Sequence, residues 1–267
     1  MAYKYESTSF VVPAGYKKDL GAFVKQVASW ISSTFPELTL DRYSQESATY
    51  YAYFNLGDTG IHLRIGFYNS GSQFMGACYG DLRESAYGAS IEDGSTVSLQ
   101  LMVVPKVAIL CTIKSSTDTH FYNSSALAVK EIVSGSSYVL CILPGKLSDS
   151  SAGKSHFWFP STYYYKNESD NTVSANVSVF PEGIGSLAGV ISKKENDGNR
   201  SAVISPVFYM KSGPLSLLTA AEDAAKLMYA NDGGMPTVTN HIPIQVGNDQ
   251  YVALEGSNVG SVYLKVN

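Results

Sequence analysis

Ser148-Asp149-Ser150-Ser151-Ala152-Gly153-Lys154-Ser155 is the stretch of this chain whose spacing comes nearest to a phosphate-binding loop, ending as it does in Gly-Lys-Ser. Such a loop needs glycine where Ser148 stands, so that the backbone can turn and present its amides to phosphate, and it needs a helix to come next. Here His156-Phe157-Trp158-Phe159-Pro160 comes instead. The stretch therefore reads as a Ser/Asp/Gly loop, and nucleotide binding is not expected.

The four histidines, His62, His120, His156 and His241, are scattered. None has a second histidine or a carboxylate at i+2, i+3 or i+4, which a local metal site would require. Asp58, His62 and Arg64 form a patch able to hold an anion, set against the plainer reading of ordinary polar residues on a strand surface. Asp81 and Glu84 are a candidate acid and base pair of the kind a glycosidase uses, but two carboxylates among twenty-three select nothing. Glu92-Asp93-Gly94 lacks the alternating oxygen ligands of a calcium loop and reads as a turn. No Gly-x-Ser-x-Gly elbow occurs. Catalytic residues, cofactors and metals are accordingly expected to be none.

The aromatic block His156 to Tyr165 carries the strongest binding potential. Phe157, Trp158, Tyr163, Tyr164 and Tyr165 suit a contact between subunits, a platform for carbohydrate, or the packing of strand side chains beside a helix. These five are the candidate interface residues.

Composition narrows the class. The chain has 267 residues, long enough for one large or two modest domains. Charged residues make up 16%, against about 25% in an average globular protein. Nineteen tyrosines outnumber eleven phenylalanines and two tryptophans, and tyrosine suits interfaces because it buries a rigid ring and keeps a polar tip. The net charge is -4, and no run of Lys or Arg exceeds a pair, so the positive footprint of a nucleic-acid binder is missing. Cys78, Cys111 and Cys141 are far apart and odd in number; Cys111 and Cys141 sit in apolar runs and read as small buried hydrophobes of a reducing compartment. The start, Met1 to Ser7, lacks a signal peptide's apolar core, and no segment has the ~20 apolar residues of a membrane span. Synthesis in a cytoplasm, with no membrane contact, is the expectation.

Periodicity locates the elements that would position these residues. Leu20, Phe23, Val24, Val27, Trp30 and Ile31 form one stripe of an amphipathic helix over about 17–33, closed by Pro36. Leu217, Leu218, Ala221, Ala225 and Met228 predict a second helix over about 216–230. Ala48 to Asn55 and Ile61 to Tyr68 read as strands joined by the Leu56–Gly60 turn, and Val97 to Val104 and Lys106 to Lys114 as another tight pair. Asn69 to Thr96 reads as a long excursion with at most a short helix or strand. Ser124 to Val133 is open between helix and strand. Further strands are expected at Val173–Phe180, Ala202–Met210, Ile242–Val246, Gln250–Leu254 and Ser261–Val266. The fold class expected is α+β, mainly antiparallel sheet or sandwich. A helix-plus-sheet lobe at 1–147 and a β-rich lobe at 148–267 are two domains or two parts of one.

The order of these segments resembles a group of tailed-bacteriophage virion structural proteins. Carrying the resemblance are the N-terminal helix with Trp30, the strand-turn-strand unit Asn55 to Gly66, the hairpin strand Lys106 to Lys114, and the Tyr-Asn-Ser segment Phe121 to Ser125. The closing elements His241–Val246, Asp249–Leu254 and Ser261–Val266 complete it. It covers about half the chain as pattern and only a few positions as letters. Where the family has Tyr-Leu-Gly after the Tyr-x-Ser, this chain has Ala126-Leu127-Ala128, which leaves the position in a particle open between head–tail connector, neck, tail and baseplate. The resemblance implies a non-enzymatic virion subunit, homo-oligomeric, whose partners are other virion structural proteins, assembled as a ring or collar. The competing expectation is a carbohydrate- or receptor-binding module using the 157–165 aromatics.

Overall fold

In the computed structural model, residues 3–68, 71–80, 84–117, 125–133 and 136–142 are described. So are 148–149, 155–156, 163–166, 172–177, 191–194, 201–206, 208–211, 216–219, 226–231, 243–246, 248–257 and 260–267. They form mostly antiparallel sheets with one α-helix among the described residues. The chain divides into two compact units, Ala2–Lys130 with Val139–Leu143, and Glu131–Tyr138 with Pro144–Asn267.

The first unit opens with β1 (Lys4–Val11) and α1 (Leu20–Thr34). Asp19 decides where the helix starts. Its side chain accepts a hydrogen bond from Ala22 N at 3.0 Å, satisfying one of the amides that the first turn leaves without a partner. The residues before it, Tyr16–Lys18, make a single 3-10 turn. The expected helix is therefore present and begins at Leu20, the first residue of its apolar stripe, three residues after the expected start at about 17. Phe23, Val24, Val27, Ala28 and Ile31 are all buried on one side of it.

Strands β2 (Leu38–Glu46), β3 (Thr49–Leu56), β4 (His62–Tyr68), β5 (Gln73–Tyr79) and β6 (Glu84–Ser90) pair in sequence order as one antiparallel sheet. Strands β7 (Thr96–Val104), β8 (Ala108–Ser115), β9 (Ser125–Val133) and β10 (Ser136–Ile142) continue from β1 as a second, in the order β1-β7-β8-β9-β10. The open choice at Ser124–Val133 is thus resolved as strand. The expectation for Asn69–Thr96 was wrong: this stretch supplies two full strands, and β5 is buried at five consecutive positions. A strand covered on both faces has no polar alternation to betray it.

Inward-facing residues of the first sheet are Ala52, Phe54 and Leu56 on β3, Leu63, Ile65 and Phe67 on β4, and Phe74 and Cys78 on β5. They meet α1 at one end and β8 at the other. A Cβ added at Gly76 would stand 2.5 Å from Cys111 Sγ and 2.9 Å from Ile113 Cδ1, so the missing side chain is what lets β5 and β8 approach. Close by, the Cys78 thiol donates to Ala126 O at 3.3 Å. Between α1 and the sheets lies an aromatic cluster in which Phe23 is 6.2 Å from Phe10, 5.7 Å from Phe67 and 5.4 Å from Phe74.

Strand β2 is irregular at one point. Leu40 pairs with Phe54 and Arg42 with Tyr53, so Asp41 is an extra residue in β2. Such a bulge re-aims the side chains beyond it. Strict alternation from Leu40 would point Arg42 inward; the bulge sets it opposite Tyr53 on the outer face.

The second unit holds a four-stranded sheet of Tyr163–Lys166, Thr172–Val177, Phe208–Lys211 and Ser216–Thr219. A six-stranded sheet runs Ile191–Lys194, Ser201–Pro206, Leu227–Asn231, Gly260–Lys265, Asp249–Ser257, Pro243–Val246. The expected helix over 216–230 is not formed. Ser216–Thr219 pairs with Phe208–Lys211, and Leu227–Asn231 lies between Ser201–Pro206 and Gly260–Lys265. Neighbouring strands thus supply the backbone partners that a helix would have supplied locally, and short apolar runs such as Leu217-Leu218 and Leu227-Met228 serve either element.

Gly66 tests the first sheet. Its φ of 153° is one that side-chain-bearing residues rarely adopt, and a Cβ there would collide with Tyr50 O. Gly66→Ala is expected to destabilise the protein by more than about 2 kcal/mol, read as a lowered urea midpoint with unchanged slope.

Candidate polar-aromatic face

Because β3, β4 and β5 alternate, what they do not bury inward they gather on the opposite face. That face carries Tyr51, Tyr53 and Asn55 from β3, His62, Arg64 and Gly66 from β4, and Met75, Ala77 and Tyr79 from β5. The bulge adds Arg42 from β2. Register sets them in rows: Arg42, Tyr53, Arg64 and Ala77 in one, Asn55, His62 and Tyr79 in the next.

These side chains lean on one another. The guanidinium carbon of Arg42 lies 4.2 Å from the Tyr53 ring centroid, and that of Arg64 lies 4.8 Å from Tyr51. Tyr53 meets Tyr51 and Tyr79 edge-on, at 6.2 and 6.4 Å. The His62 ring stacks on Tyr79 at 4.9 Å, and its Nδ1 is 2.6 Å from Asn55 Oδ1. Tyr51 donates its hydroxyl to Met75 Sδ at 3.7 Å. Cations attract the electron-rich faces of aromatic rings, and arginine does so while keeping N–H groups available at its edge. Arg42 also pairs with Asp41. Its side chain remains 59% exposed.

Burial raises the pKa of the Tyr79 hydroxyl; Arg42 and Arg64 pull it down and Tyr53 and Asp41 push it up. Both arginines therefore act on one phenol. Tyr51, Met75 and Ala77 are buried within this face, so what it can offer a partner chemically lies towards its Arg42 edge, in guanidinium N–H groups and the edge of a ring.

His62 and Arg64 of the expected anion patch do share this face, while Asp58 is exposed in the turn joining β3 to β4. Arg42, Tyr51, Tyr53 and Tyr79 were not singled out from the sequence. The Tyr51–Tyr53 spacing was a visible signal; Arg42 was concealed by the bulge. Asp81 and the side chain of Glu84 lie outside the described residues, as do Phe157 and Trp158. Tyr163, Tyr164 and Tyr165 fall in a strand paired with Thr172–Val177, and their side chains lie outside the described residues. In the loop read against a phosphate-binding motif, Ser148-Asp149 pairs with Ser155-His156 as two short strands, so Ser155 opens no helix.

Among the described residues no cluster of three or more His, Cys, Asp or Glu is placed to hold a metal, and no helix is long and apolar enough to cross a membrane. Compared with models of known protein families, with curated proteins and with solved structures, the chain finds no match.

The stacked pairs and the buried thiol can each be measured. Truncating Arg42 and Tyr53 to Ala, singly and together, is expected to give a coupling energy of about 0.5–1 kcal/mol in a double-mutant cycle. Additive losses would mean that the stacking carries no energy. Burial pushes the Cys111 thiol from its ordinary 9.0 up to about 12. It is protonated in the folded protein at pH 8 and is expected to escape alkylation there, reacting only after denaturation, as peptide mass spectrometry would report. From about pH 9 upward the unfolded thiol ionises while the folded one does not, so this group lowers stability as pH rises towards 12.

Proposed function

We propose that this protein is a non-enzymatic structural subunit of a tailed-phage particle, made in the host cytoplasm and built into a ring or collar at the neck or tail. The observation that carries the reading is the outer face of β2–β5. Its tyrosines and arginines are locked to one another across neighbouring strands. A surface ordered before it meets a partner loses little side-chain entropy on binding. Aromatic residues and arginine are also the types that dominate binding energy at protein interfaces. A chain with few charges and many tyrosines supports the same reading, and the segment order that resembles virion structural proteins supplies the kind of particle. Its partners would be copies of itself and other virion structural proteins.

The test is sedimentation of native particles from the protein's source, with quantitative mass spectrometry of the pelleted fraction. A fixed ratio to capsid or tail proteins through a density gradient is the expected result. Recovery only as a free, small species would overturn the proposal. It would turn attention to glycan binding through the 157–165 aromatics, monitored by Trp158 fluorescence on adding glycans.

A further inference from the structure

Strand β1 is the outermost of its sheet, with β7 on one side and no strand on the other. The ladder tells which of its backbone groups face outward. Ser116 N donates to Thr96 O at 2.9 Å and Thr96 N donates to Ser116 Oγ at 2.9 Å, so Thr96 turns towards the β8 side. Val11, its partner on β1, is thereby left facing away from β7. Val12 N, one residue on, does face inward and donates to Ser95 O at 2.8 Å. Backbone direction alternates along a strand, so Tyr5, Ser7, Ser9 and Val11 aim their N–H and C=O groups at the open edge. Among the described residues, nothing donates to or accepts from the backbone of Ser7, Ser9 or Val11 there.

Edge strands are ordinarily protected by a bulge, a proline or charges along the strand. β2 has the first and the last of these, at Asp41 and at Arg42 and Glu46. β1 pairs with β7 over all 8 of its residues without interruption and contains no proline. Glu6, Ser7, Ser9 and Val11 are exposed along it. Val11, at 64%, is the most exposed of the large hydrophobics among the described residues. The next outward position is Pro13, which has no N–H to offer. The open edge therefore ends at Val11.

We propose that β1 pairs antiparallel with β1 of a second copy, about a two-fold axis at Thr8. Outward positions must meet outward positions, and only an axis at Thr8 sets all four opposite one another. Tyr5 then lies across from Val11 of the other copy, and Ser7 across from its Ser9. An aromatic ring beside a β-branched residue and a hydroxyl beside a hydroxyl are favourable cross-strand pairs. The first of them covers the bare valine. The two charges of β1 raise no conflict, since Glu6 comes opposite Phe10 and Lys4 opposite Val12, with no like charges facing. The contact uses the same strand on both copies, so it closes at two and consumes the edge that it pairs. It stands on the geometry of the edge and not on the particle reading.

Sedimentation velocity of the full chain over a concentration series tests this, with circular dichroism confirming that each variant folds. Native protein is expected to associate at least to a dimer. Ser9→Pro removes an outward N–H without touching the β7 ladder, and is expected to lower the association constant roughly tenfold or more. Two double variants test the register. Ser7→Glu with Ser9→Glu sets acid against acid at both Ser7–Ser9 pairs, whereas Ser7→Lys with Ser9→Glu sets a cation against an acid at both. The second is expected to associate roughly tenfold or more tightly than the first. A native chain that stays monomeric, or a folded Ser9→Pro variant that associates as the native protein does, overturns the pairing. Equal association of the two double variants overturns the axis at Thr8 and the proposal with it.

Discussion

Phe23 is the residue on which the first unit turns. It is 1% exposed and touches β1 through Phe10, β4 through Phe67 and β5 through Phe74. Burying a phenylalanine contributes about 1.5–3 kcal/mol, and each well-placed aromatic pair adds about 0.5–1.5 kcal/mol. The larger point is geometric. The two sheets approach closely where β5 and β6 face β8, and α1 fills the wedge between β1 and β3–β4 with Phe23, Val24, Val27 and Ile31. Asp19, by fixing the first turn, sets the rotation at which those side chains enter.

This dependence explains which parts of the fold were legible in the sequence. A helix that must fill a wedge has to carry a continuous apolar stripe, and the stripe was plain from Leu20 to Ile31. The β3–β4 and β7–β8 pairs were legible because their turns are short and their strands alternate. By contrast β5, with Phe74, Gly76, Ala77 and Cys78, is packed on both sides and rich in small residues. Nothing local distinguishes such a run from a loop. The 216–230 segment failed for the opposite reason: its spacing suited a helix, but backbone partners far along the chain decided the outcome.

The outer face shows the same division. That Tyr51, Tyr53, His62 and Arg64 share a side comes from period two, and the sequence alone displays it. That Arg42 joins them depends on one inserted residue, Asp41, in the middle of β2. A bulge leaves no fixed signature in residue type. It is visible only when the partner strand is known, which is why the row Arg42–Tyr53–Arg64 emerges from register and not from reading along the chain.

The bulge has a second effect. β2 is the outermost strand of its sheet, and outermost strands carry backbone groups that can recruit further strands. Asp41 disrupts the ladder in mid-strand, and Arg42 and Glu46 place exposed charges along it. Free copies held at high concentration would therefore be guarded on that side against adding strand to strand into fibres. The irregularity that brings Arg42 onto the tyrosine-bearing face also obstructs one route to disordered growth.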